Sequence, residues 1–121
     1  MTANPHTVGQ TQPLAAAWAM MREHSIRHLP VLHGGELVGV LTANELRVVE
    51  ALPGVDSDVV KVEEALSGDT YAVAPETPVG EVVSHMAKHK ISSAIIVAHE
   101  KVQGVFTIDD ALRLLSDALS A

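Results

Sequence analysis

The chain has no cysteine among its 121 residues, which removes disulfide frameworks, thiolate metal sites and cysteine nucleophiles together. Aromatic side chains are almost absent: Trp18, Tyr71 and Phe106 are the whole set. The stacking platforms that hold single-stranded nucleic acid are therefore missing. Cations are scarce as well, eight against fifteen anions for a net charge of −7. A polyanion is repelled by such a surface unless the few cations cluster, so no nucleic-acid partner is expected. Apolar runs are short, and none approaches the roughly 18 residues of a membrane span. The start, Met1-Thr-Ala-Asn-Pro5, has neither a basic nor an apolar region. No secretory leader is expected, and the lack of cysteine fits an expected cytoplasmic location.

Catalytic signatures are missing too. There is no Gly-x-Ser-x-Gly elbow and no Gly-x-x-x-x-Gly-Lys-Ser/Thr phosphate loop. Asp109 and Asp110 are neighbours at a helix start, where carboxylates serve the helix dipole before acid–base work. The chain is not expected to be an enzyme.

What is present is a repeat. Apolar residues make up 47% of the chain and the mean hydropathy is +0.22, which suits one compact domain or two very small ones. A shift of 65 residues aligns Val8 with Val73, Pro13 with Pro78, Met21 with Met86, His24 with His89 and Ile26 with Ile91. The same shift lays Gly39-Val-Leu-Thr42 on Gly104-Val-Phe-Thr107. Each copy reads β-α-β-β-α. Leu14, Ala17, Trp18 and Met21 form one helical stripe, and Val79, Val82, Val83 and Met86 repeat it. Thr77 is the expected N-cap of the second, with Pro78 at its first position. Leu29–Leu32 with Leu37–Leu41, and Ala94–Ala98 with Val102–Phe106, read as strand pairs, the first closed by a Gly34-Gly35 turn. A last helix in each copy points Leu46, Val49 and Leu52, or Leu112, Leu115 and Leu119, inward. The expected division is a first repeat over 1–52, a linker at 53–58 and a second repeat over 59–121. Val59–Val62 is a possible added strand. Residues 53–70 carry one cation against five anions, while the flanking segments are nearly neutral.

Ile26-Arg-His-Leu-Pro-Val31, Gly39-Val-Leu-Thr-Ala-Asn-Glu45 and Gly104-Val-Phe-Thr-Ile-Asp-Asp110 resemble the tandem cystathionine-β-synthase-type (CBS) domain pair, over about residues 5–52 and 59–119. The resemblance implies an α/β (α+β) fold of two pseudo-twofold repeats, with small sheets packed together and helices outside. It implies a regulatory module without a required cofactor that binds an adenosine-containing ligand, of the AMP, ADP or ATP class. It also implies a homodimer that acts on an effector protein not identified by the sequence.

The site residues come from the same source. Thr107 would face a phosphate and Asp110 the ribose hydroxyls, with Val105 and Asp109 beside them. Ile26, Arg27 and His28 would meet the adenine edge and phosphates, with Ala17 nearby. Each cleft would join the strand start of one repeat to the Thr-x-x-acid of the other. That leaves Ile91, Ser92 and Ser93 with Thr42 and Glu45 in a weaker second cleft. The chemistry is sound: a helix start offers amides to an anion, and a short carboxylate accepts from two vicinal hydroxyls. Thr42-Ala-Asn-Glu45 is equally a capping box, and both readings stand. Seven histidines raise the question of a metal, since His24 and His28, and His85 and His89, stand at i, i+4. A zinc site needs a third or fourth ligand, and none is evident, so no metal is expected. A ligand-free dimerisation module is the alternative function.

Overall fold

In the computed structural model, which describes residues 2–3, 5–66 and 70–120, the 65-residue repeat governs both halves. The first half runs β2 (Val8–Gly9), α1 (Leu14–His24), β3 (His28–His33), β4 (Glu36–Thr42) and α2 (Ala43–Glu50). The second runs β5 (Ala72–Val73), α3 (Val79–His89), β6 (Ser93–Ala98), β7 (Lys101–Thr107) and α4 (Ile108–Ser120). A further strand, β1 (Thr2–Ala3), precedes them. The fold is α+β.

One unit comprises residues 6–70, the other residues 1–5 with 71–121. In the first, β2 lies parallel to β3 and β3 antiparallel to β4. In the second, the sheet order is β1-β7-β6-β5, with β1 antiparallel to β7. The agreement between copies extends to irregularities. A register shift falls at Val31/Leu32 and again at Ile96/Val97, one repeat apart. Ser25 and Lys90 both end their helices in the left-handed region, at φ 52° and 56°. Such residues stop a helix by turning its last carbonyls toward the following amides.

Both hairpins turn on two residues of positive φ, as the right-handed twist of paired strands requires. The first uses Gly34 (φ 58°) and Gly35 (φ 85°) and the second His99 (φ 52°) and Glu100 (φ 64°). The glycine signal is therefore absent from the second turn although the geometry is kept.

The units differ in core size. Eleven buried apolar residues, Leu14, Leu29, Val31, Leu41 and Leu46 among them, form the first core. Val82, Met86, Ala94, Ile96 and Phe106 form the second.

Five expectations are corrected. Val59–Val62 is not a strand; Val62–Ala65 is a 3-10 turn, with Val62 fully buried in the first core. Pro13 at the head of α1 supplies no side-chain cap, and the connector lies against that helix start. Instead Leu14 and Ala15 donate to the carbonyls of Val60 and Ser57, both at 2.9 Å. Val62 and Glu63 donate in turn to Gln12 and Gln10, at 2.8 and 3.0 Å. The connector consequently packs with the first compact unit, residues 6–70. Second, α3 starts at Val79 with Pro78, not Thr77, in the cap position. Third, Val79 and Val83 on the α3 stripe are exposed. Fourth, Leu52 lies beyond α2 and is exposed. Fifth, Leu112, Leu115 and Leu119 are exposed at 56%, 54% and 77%, and α4 buries no residue.

Candidate functional site

Both strand-to-helix junctions are built alike. At Thr42 the hydroxyl accepts from the Glu45 amide at 3.1 Å, and Glu45 Oε1 accepts from the Thr42 amide at 3.0 Å. At Thr107 the hydroxyl is 3.4 Å from the Asp110 amide that donates to it, and Asp110 Oδ2 accepts from the Thr107 amide at 2.8 Å. The Thr107 hydroxyl also donates to Asp110 Oδ2 at 3.2 Å. Each motif is thus a reciprocal capping box that satisfies otherwise unpaired amides.

The shorter aspartate does not lose the cap, but it draws its carboxylate close to the chain. The Asp110 side chain is 11% exposed, and its Oδ1 lies 3.7 Å from Arg113 Nη1. Arg113 was not singled out from the sequence; the i, i+3 spacing to Asp110 was its signal. Asp109, on the same first turn, is exposed.

The strand starts abut these junctions within each copy. His28 pairs with Thr42 across the β3–β4 ladder, and Ala43 donates to the Arg27 carbonyl at 2.9 Å. Ser93 pairs with Thr107, and Ile108 donates to the Ser92 carbonyl at 3.2 Å. Arg27 is exposed, whereas Ile26, His28, Ile91, Ser92 and Ser93 are half-buried. Within each copy the fold therefore sets Arg27 and His28 beside Thr42 and Ala43, and Ser92 and Ser93 beside Thr107 and Ile108. Ala17 and Val105 are buried, at 0% and 6%.

At the other end of α2, Trp18 Nε1 and Ser57 Oγ both donate to the Glu50 carboxylate, and Arg47 lies over the indole at 5.9 Å. This ties α1, α2 and the connector together, a role that no sequence pattern marked. Among the described residues no three His, Asp or Glu side chains converge as metal ligands. Among the described residues, no helix is long and apolar enough to cross a membrane.

Two β-α-β-β-α copies, each closing on a Thr-x-x-acid junction, define a tandem α+β repeat module. The chain belongs to the CBS domain family, whose model matches residues 1–51 and 57–117. It is 26% identical over 118 residues to hypoxic response protein 1 of Mycobacterium tuberculosis, covering 97% of this chain and 82% of that one. A crystal structure of hypoxic response protein I with two coordinated zinc ions matches at 25% identity and TM-score 0.81, covering 93% and 92%. The acetoin utilization protein AcuB of Vibrio cholerae matches at 27% identity and TM-score 0.85, covering 99% of this chain and 89% of that one. The CBS domain pair of protein MJ0100, solved with 5-methylthioadenosine and S-adenosyl-L-methionine, matches at 25% identity and TM-score 0.82, covering 97% and 93%.

Proposed function

We propose that the protein is a cytoplasmic regulatory module that binds an adenine nucleotide or adenosine derivative and passes its occupancy to an effector protein through a change of shape or association. Thr107 and Asp110, with Val105 and Asp109, would take the phosphate and ribose. Ile26, Arg27, His28 and Ala17 would supply the adenine and phosphate contacts. The observation that carries the proposal is the Asp110 junction: a short carboxylate at a helix start, held in place by the Thr107 amide. A group fixed in advance loses little freedom when it accepts two ribose hydroxyls. The adenosine compounds bound by MJ0100 support the ligand class.

Thr42, Glu45, Ile91, Ser92 and Ser93 would form a weaker second site, because they lack both the aspartate and a permanent cation. A phosphate facing Arg27 gains a charge-assisted hydrogen bond of roughly 1.5–3 kcal/mol, against about 0.5–1.5 for neutral partners.

The second reading, a ligand-free dimerisation module, is favoured by one observation: the Thr42–Glu45 and Thr107–Asp110 hydrogen bonds have the form of helix caps. Calorimetric titration with AMP, ADP, ATP, S-adenosylmethionine and methylthioadenosine separates the two. One dominant site per chain is expected, weakened about tenfold or more by Asp110→Ala and by Arg27→Ala. Two equal sites, or binding untouched by Asp110→Ala, overturn the assignment. No heat with any of the five leaves the dimerisation reading.

A further inference from the structure

Three histidine pairings among the described residues are geometrically unlike. His24 and His28 share the i, i+4 spacing, but α1 ends at His24 and His28 opens β3, so no helical face unites them. His6 and His24 stack with centroids 3.5 Å apart and planes at 13°. Nearly parallel rings point their nitrogens side by side rather than at one ion. His85 and His89 lie one turn apart on the same face of α3. Their centroids are 4.2 Å apart and their planes tilted by 37°.

That separation is informative. An ion bound to one nitrogen of each imidazole at about 2.0–2.1 Å sits about 3.2 Å from each ring centre, so two ligands at right angles place the centres about 4.5 Å apart. The pair is within a few tenths of an ångström of this. Tyr71 stacks on His85 at 3.9 Å and 18°, which holds that ring in place. His89 is exposed and His85 half-buried, so the site opens to solvent.

We propose that His85 and His89 form an open two-imidazole site for a late first-row divalent cation, with water completing the coordination. Imidazole suits these ions, and at a nitrogen site Cu2+ exceeds both Ni2+ and Zn2+. With two protein ligands the site exchanges its ion readily, unlike a closed structural zinc site with four.

The untagged full chain is titrated calorimetrically with Cu2+, Ni2+ and Zn2+ alone, without nucleotide. One Cu2+ per chain is expected, bound more tightly than Ni2+ or Zn2+. His85→Ala and His89→Ala should each weaken it about tenfold or more, while His6→Ala and His33→Ala leave it unchanged. In proton spectra, trace Cu2+ should broaden the His85 and His89 imidazole signals first. If His85→Ala melts early through loss of the Tyr71 stack, the exposed His89→Ala decides alone. Cu2+ binding that survives His89→Ala, that follows His6, or that is absent overturns the site.

Discussion

The two hairpins make a controlled experiment in backbone strain. His99 and Glu100 hold φ of 52° and 64°, where Gly34 and Gly35 hold 58° and 85° in the equivalent turn. A side chain in the left-handed region costs roughly 1–2 kcal/mol, less for residues such as Asn that bond locally. Space is not the issue, because a Cβ at Gly34 or Gly35 would meet nothing within 4 Å. Replacing Glu100 by glycine removes the left-handed penalty and adds the greater entropy loss of glycine, about 0.5–1 kcal/mol. His99→Asn adds a few tenths, since asparagine tolerates this region. The double variant His99→Asn/Glu100→Gly should therefore gain about 1 kcal/mol. For a chain of this size that raises the melting midpoint by about 4 °C, and by about twice that if the smaller unit melts by itself. Gly35→Glu should lose about the same amount. Thermal and urea unfolding, followed by circular dichroism, measure both. A double variant no more stable than the parent, together with a neutral Gly35→Glu, would refute the assignment of strain to these turns.

The remaining predictions concern the caps and the assembly. Glu45→Ala should destabilise by about 1 kcal/mol through loss of its half of the capping box, with little effect on the tighter nucleotide site; equal weakening of binding by Glu45→Ala and Asp110→Ala would contradict this. Ile108, Leu112, Leu115 and Leu119 expose an apolar run along α4, which we expect a second copy of the chain to cover. Light scattering at tens of micromolar should give twice 12.8 kDa, and Leu115→Asp should return the monomer; a wild-type monomer would refute the expectation.

Much of the fold was legible because apolar spacing and turn residues report directly on local geometry. The Leu14, Ala17 and Met21 stripe is buried as expected, and both strand pairs are present with their ends extended by a residue or so. The capping boxes were legible for the same reason: Thr at the cap and an acid three residues on is a chemical pattern as well as a spacing. The connector was not. Its attachment to α1 runs through the carbonyls of Ser57 and Val60, which every residue type possesses. The α4 stripe was recognisable as apolar, but amphipathicity does not say what covers the apolar face. At the candidate site the acid and hydroxyl were readable, whereas the Arg113 contact needed the helix register. The Tyr71–His85–His89 stack needed the path of β5 beside α3.

The pairing of Thr2–Ala3 with Val105 and Gly104 has a consequence for how the protein is made. Thr2–Ala3 is synthesised ahead of residues 6–70 but belongs to the sheet that is completed after them. At roughly 5–20 residues per second, about 100 residues separate the two partners by some 5–20 seconds of translation. Residues 6–70 have all their own partners by then and can fold behind it. During that interval the leading strand keeps a free hydrogen-bonding edge, the kind that recruits other chains. A nascent chain stalled before Gly104 would display it indefinitely. Pausing in the codons between Thr70 and Gly104 is therefore where aggregation on the polysome should be most sensitive to elongation rate.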